Sequence, residues 1–326
     1  MSSVIIGATS NPFREDLRDR YERGFHHIEI RMPEMLLIGR RVEIAGELER
    51  NLDEYDLEIV SLHVPELRSN GQPVDFASFD EENRKTGAEI VDATLNVAAS
   101  IGAPRVVVTL PPFIDQKQIQ AQDPTTLLTL ARHRTLREIE RFADQAASAK
   151  ILLCLKNAPP LIEPGPAVGA FYGLSTVLEV YETIRKLGVV TRAWMAFDIA
   201  NAHLFANAWK AAREGTQKLA WIEQMEIEIS HDILKTLRDL AEFTEIFYLS
   251  NVRGFSDKGL LPKEGEMDFE EIYKKILSYI FPKRVIMLDV KEETEEKAVN
   301  TELMRAYINE IDKGNSNRSS LYYEKF

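Results

Sequence analysis

Short apolar runs alternate with longer segments of helical periodicity along the whole chain. The runs are VIIGAT (4–9), HHIEIRM (26–32), EIVSLHV (58–64), RVVVTL (105–110), ILLCLK (151–156), AWMAFDI (193–199), EIFYLS (245–250) and RVIMLDV (284–290). Each is rich in β-branched or aromatic residues and too short for a helix, which is the pattern of parallel strands buried on both faces. Between the runs, Ile90, Thr94, Val97, Ala98 and Ile101 share one helical face, as do Val177, Val180, Tyr181, Ile184 and Leu187, and again Phe269, Ile272, Tyr273, Ile276, Leu277 and Ile280. In SIGAPRVVV and KLGVVTRAW a glycine closes the helix just before the next strand. Eight strand–helix units without a low-complexity linker predict an α/β protein, a (β/α)8 barrel. A doubly wound open sheet is the alternative; the stretch GATSNP after the first run lacks the G-x-G-x-x-G fingerprint that would favour it. The expected organisation is one barrel domain over residues 1–312 and a polar C-terminal tail over 313–326.

Composition narrows the partners. A formal net charge of −12 over 326 residues, with no Lys/Arg-rich run, disfavours nucleic acid. The lone Cys154 excludes intramolecular disulfides and falls inside an apolar run, where packing is its expected role. The amino terminus lacks a basic segment followed by a long apolar run, and no stretch is apolar enough to span a bilayer, so the expectation is a soluble cytoplasmic protein with no membrane partner.

In a (β/α)8 barrel the chemistry sits at the carboxyl ends of the strands. The polar residues closing the runs are Ser10 and Asn11, Glu29, His63 and Glu66, Thr109, Lys156 and Asn157, Asp198 and Asn201, Tyr248 and Asn251, and Asp289. Lys156 is the unusual one, because an ammonium at the end of a buried strand needs a partner. Three roles are open for it: a structural ion pair, a cation facing a ligand, or an activated nucleophile or base. Side chains alternate along a strand, so His27 and Glu29 share a face while His26 points the other way. His133 and His231 fall in helical patterns and are expected at the surface or in packing. The Pro/Gly-rich stretch 157–173 is read either as a loop whose Phe171 and Tyr172 cover a ligand or as a plain surface excursion.

The runs HHIEI, SLHVPE, LKNAPP, FDIANAH, YLSNVRG, LPKEGEMDF and MLDV, in that order, resemble the xylose isomerase-like TIM barrel superfamily, whose members include sugar-phosphate isomerases and epimerases and the metal-dependent apurinic endonucleases. The resemblance implies an acid at Glu29, metal-holding acids at Asp198 and Asp289, and a histidine at His63. It also marks departures: Lys156 stands where the family has glutamate, Asn201 where it has histidine, Tyr248 where it has histidine, and His203 lies two residues past the expected place. Against that pattern the expected catalytic set is Lys156, Asp198, Asp289 and Glu29, with His63, Asn157, Asn201, His203, Tyr248, Asn251 and Arg253 as ligand contacts. No cofactor is expected. An ammonium has no lone pair and repels a divalent metal, for which Asp198, Asp289 and His63 would be the residual ligands. The implied partner is a small polar or anionic molecule of carbohydrate type, acted on by an isomerase or epimerase or bound by a metal-free or lyase-like relative; a homo-oligomer is left open and an apurinic endonuclease is the least favoured reading.

Overall fold

A computed structural model of the chain describes residues 4–39, 41–121, 123–160, 162, 171–187, 193–215, 232–255, 257–279, 284–294 and 297–323. All eight apolar runs become parallel strands: β1 (Ile5–Ser10), β2 (His27–Arg31), β3 (Glu58–His63), β4 (Arg105–Thr109), β5 (Leu152–Lys156), β6 (Ala193–Asp198), β7 (Thr244–Leu249) and β8 (Val285–Leu288). They close in chain order, with β1 pairing both β2 and β8, so the barrel has no free edge. Helices cover its outside, and their apolar stripes meet the outward faces of the strands in the main core, which includes Ile30, Leu62, Val106, Leu153, Phe197 and Leu288.

The barrel interior is filled by the other face of the strands: Val107, Cys154, Ala196, Ile246, Val285 and Met287. Alternation then dictates what lies one pleat higher. Two residues beyond Cys154, Ala196, Ile246 and Met287 come Lys156, Asp198, Tyr248 and Asp289, all at the carboxyl ends of their strands. The register confirms their proximity: Lys156 pairs with Thr109 and Ala196, Asp198 with Tyr248, and Arg31 with His63.

Two features were not read from the sequence. Short antiparallel strands, Phe113–Asp115 and Phe171–Gly173, join the β4 and β5 loops, and Phe171 packs there with Phe113, Ala158 and Ile162. Phe171 is therefore a buried packing residue, held among Phe113, Ala158 and Ile162, while Tyr172 is partly buried against the cluster of Ile114, Leu127 and Phe205. The residues between them and the strand, 163–170, fall outside the described part, as does His231. The last helix runs Val299–Tyr323 and passes residue 312 without a break. Among the described residues no helix is long and apolar enough to cross a membrane.

Gly87 sits inside the helix Glu81–Ser100, where a Cβ would come within 2.8 Å of the Asp75 carbonyl carbon and 2.9 Å of the Phe76 nitrogen. At an open helical position, replacing Gly by Ala gains up to about 1 kcal/mol. Here the obstruction is backbone, so Gly87→Ala is expected to cost about 1–3 kcal/mol through overpacking. Urea denaturation measures it; a variant as stable as the parent would mean that this helix does not press on the Asp75–Phe76 segment.

Candidate functional site

The Lys156 side chain is 1% exposed, and its ammonium lies at the meeting point of three acids. Nζ donates to Glu66 Oε1 at 3.0 Å and lies 3.2 Å from Asp198 Oδ2 and 4.0 Å from Asp289 Oδ2. It also stands 4.5 Å from the centre of the Tyr248 ring, whose π-face adds a further attraction for a cation. Asp198 Oδ2 has no hydrogen-bond partner although it is within ion-pair distance, so the approach of Nζ is off the line a hydrogen bond needs. Burial opposes the charge on Lys156, but Glu66, Asp198 and Asp289 together outweigh it and hold the pKa above its ordinary value. The amine is thus kept protonated, the reverse of the downward shift that would free a lone pair for a nucleophile or base.

Each acid is held by a second device. Asp198 caps the helix Ile199–Arg213 through Oδ1, which accepts from the Asn201 backbone N–H at 2.8 Å. One carboxylate therefore starts a helix and faces the ammonium. Glu66 Oε1 accepts from the Thr109 hydroxyl at 3.0 Å, and its pKa lies well below the usual range: burial raises it, and Lys156 and then Lys258 pull it down further. Asp289 is paired with Arg31; burial is again outweighed, by Arg31, Lys156 and Lys258, so its pKa is also low.

Below this ring, Glu29 is fully buried and accepts hydrogen bonds from the Ser61 and Tyr248 hydroxyls, both on Oε2. Its Oε1 is unpartnered, and burial pushes its pKa up despite Arg31 nearby. His63, 2% exposed, is held neutral with a pKa near 3, by burial first and then by Lys156. Its Nε2 has no hydrogen-bond partner and lies 4.0 Å from Glu66 Oε1.

Asn157 and Asn201 form a buried brace: Asn157 Oδ1 accepts from the Asp198 N–H at 2.8 Å, its Nδ2 donates to the Asp198 carbonyl at 2.9 Å, and Asn201 Nδ2 donates to the Asn157 carbonyl at 2.9 Å. They fix the β5–β6 ends, and only Asn201 reaches further, with Oδ1 accepting from Lys258 at 3.2 Å. The structure brings Lys156, Asp198, Asp289, Glu29, His63 and Tyr248 together at one end of the barrel. It does not bring Asn251, Arg253 or His203 to the ring. Asn251 clasps the backbone of Val252, Pro262 and Met267, Arg253 donates to the Glu264 carbonyl, and His203 lies 3.5 Å from Glu266. All three serve the loop that follows β7, whose amide groups need partners wherever it is buried.

Sequence reasoning missed Arg31 and Lys258 and gave Glu66 no role beyond its place after β3. Arg31 was accessible to it, because in HIEIR it shares a strand face with Glu29. Lys258 lies in a short hairpin strand, Asp257–Leu260, and no local pattern places it over the barrel.

The description "Xylose isomerase-like TIM barrel" matches residues 18–309 of the chain. The chain belongs to that family. Solved structures agree in fold: a D-tagatose 3-epimerase-like protein (17% identity, 94% of this chain and 99% of that one, TM-score 0.63) and 3-keto-D-glucoside 4-epimerase from E. coli (15%, 93% and 100%, 0.61). AP endonuclease, family 2, from Brucella melitensis is similar too, at 14% identity, 91% and 97% coverage and a TM-score of 0.58. No curated protein sequence matches significantly. Within this xylose isomerase-like barrel, no group of three or more His, Cys, Asp or Glu side chains among the described residues is arranged to hold a metal ion.

Removing the ammonium while keeping its stem isolates its contribution. Lys156→Met is expected to cost about 3–5 kcal/mol at neutral pH, since it leaves buried carboxylates without a counter-charge. Those acids then have folded pKa values raised above their unfolded ones, so the folded state binds more protons and the loss shrinks as pH falls. Lys156→Met/Asp198→Asn should recover part of the loss at neutral pH. Urea melts at pH 5 and pH 7.5 decide it; a pH-independent loss, or none, contradicts the ion network.

Proposed function

We propose that this chain binds a small carbohydrate, of sugar or sugar-phosphate kind, over the barrel mouth, and that its chemistry is of the isomerase and epimerase class with a fixed ammonium in place of a metal. The observation that carries this is the position of Lys156 Nζ, within 3.0–4.0 Å of the carboxylates of Glu66, Asp198 and Asp289. A divalent ion does not fit there, because the ammonium occupies the point on which the acids converge and offers protons where a metal needs lone pairs. The resemblance to sugar epimerases in fold supports the substrate class.

The accessible part of the mouth is cationic at its edge. Arg31, with a 41% exposed side chain, and the half-buried Lys258 present N–H donors above the ring, which suits hydroxyl, carbonyl or phosphate oxygens. His63, held neutral by burial and by Lys156, offers a hydrogen bond to a ligand, while the Tyr248 hydroxyl below it is spent on Glu29. Lys156 holds Asp198, Glu66 and Asp289 in place, and the cations that a developing oxyanion would meet are Arg31 and Lys258. A second reading, a binding protein without turnover, rests on the burial of Lys156, His63 and Asp198. The net charge of −12 leaves nuclease action the least favoured.

The test pairs binding with exchange. D-fructose 6-phosphate and D-fructose are titrated into chelator-treated protein of measured metal content, and then incubated with it in deuterated water while carbon-bound protons are followed by NMR. Binding that persists in chelator, with well below one metal ion per chain, supports the proposal; deuterium incorporation supports the isomerase class, and binding without it selects the second reading. Stoichiometric zinc or manganese held by Asp198 and Asp289, or no binding of either sugar at millimolar concentration, overturns it.

A further inference from the structure

After β7 the chain forms a hairpin in which Asn251–Arg253 pairs antiparallel with Asp257–Leu260. It is pinned beside Asp289, because the Gly259 carbonyl accepts from the Lys291 N–H at 2.8 Å. Gly259 has φ 79°, and a Cβ there would come within 2.8 Å of the Lys291 nitrogen, so the two backbones approach this closely only at a glycine. The first strand of the hairpin is tied down as well, with the Val252 carbonyl accepting from the Glu266 N–H at 2.8 Å. Lys258, next to Gly259, is thereby delivered to the ring. Its Nζ donates to Asn201 Oδ1 at 3.2 Å, and its charge helps to hold both Glu66 and Asp289 acidic.

Lys258 differs from the other cations of the mouth in its partner. Lys156 faces three carboxylates and Arg31 is paired with Asp289. Lys258 has a neutral amide oxygen and forms no ion pair among the described residues, although it is half-buried. An ammonium carries three donors, and a single amide oxygen is a weak replacement for the water a half-buried cation gives up. The two outer cations also face each other. Arg31 ends β2 and Lys258 meets Asn201 just beyond β6, and those strands are opposite one another in the closed order of the barrel. Glu66 and Asp289 border the same space, but each already has a counter-ion in Lys156 or Arg31. Lys258 is the cation that an incoming anion meets without breaking an existing ion pair.

We propose, on the footing of a carbohydrate at the barrel mouth, that this ligand is a phosphate ester whose phosphate is bound by Lys258 on the β6 side, while its sugar hydroxyls lie toward Arg31 and His63 on the side of β2 and β3. Lysine serves phosphate as a compact point charge, and a charge-assisted hydrogen bond to phosphate is stronger than the present one to a neutral amide. Lys258 then sets specificity, separating phosphorylated sugars from free ones.

D-fructose 6-phosphate, D-fructose and inorganic phosphate are titrated calorimetrically into the full-length chain and into Lys258→Gln and Lys258→Arg. The parent is expected to bind the ester at least about tenfold tighter than D-fructose, the scale of one hydrogen bond to a charged group. Lys258→Gln, which keeps a donor for Asn201, should erase most of that preference, and Lys258→Arg should retain it. Equal affinities of the parent for the two sugars, or a preference unchanged in Lys258→Gln, overturns the phosphate assignment and leaves the carbohydrate site standing. Loss of both sugars in Lys258→Gln makes the lysine structural and overturns it too, as does inorganic phosphate binding as tightly as the ester. A parent that binds neither sugar overturns the carbohydrate reading itself.

Discussion

Lys156 carries a full charge into a position that is 1% exposed, and removing an ion of that kind from water costs several kcal/mol unless neighbouring charges compensate. Much of the barrel mouth follows from that requirement. Glu66 is reached from the loop after β3, Asp198 from the end of β6 and Asp289 from beyond β8, so the ammonium ties together three separate parts of the ring. Each acid is in turn fixed by something else: a helix start, a threonine hydroxyl, a guanidinium. A polar network of this kind is favourable only when nearly complete, and its few unpartnered atoms, on Glu29, Arg31, His63 and Asp198, lie within or against the ring.

Strand number, order and boundaries were legible because a closed parallel barrel buries both faces of every strand and leaves a continuous apolar run as its trace. The inward position of Lys156 was not legible: ILLCLK is apolar on both faces, and only the closed barrel shows that Cys154, and with it Lys156 two residues on, faces the interior. The partners were harder. Glu66 and Lys258 reach the ring from loops, where no periodicity fixes direction, and Arg31 reads as an ordinary strand-end charge until its pairing with Asp289 is seen. Asn251, Arg253 and His203 were grouped with the site for the opposite reason: they lie close in sequence to strand ends, but the loop after β7 draws their polar atoms to its own backbone and to Glu266.

The two sides of the β4 loop connect the barrel mouth to the flank. Thr109 bonds Glu66, the Leu110 N–H donates to the Lys156 carbonyl at 2.8 Å, and the Ser175 hydroxyl donates to the Pro111 carbonyl at 2.5 Å. The segment 110–112 is thereby hydrogen-bonded to the strand that presents the ammonium and to the start of the next helix region at Ser175.

The central claim is that Lys156 is a permanent, fixed cation. Nitrogen-15 NMR of the lysine side chains, with the Lys156 Nζ resonance identified by its loss in Lys156→Arg, tests it directly as pH is raised. The account predicts a slowly exchanging three-proton ammonium that persists beyond the pKa of 10.5 usual for lysine. A resonance that titrates at or below that value would show a neutral amine within reach, and would contradict the account.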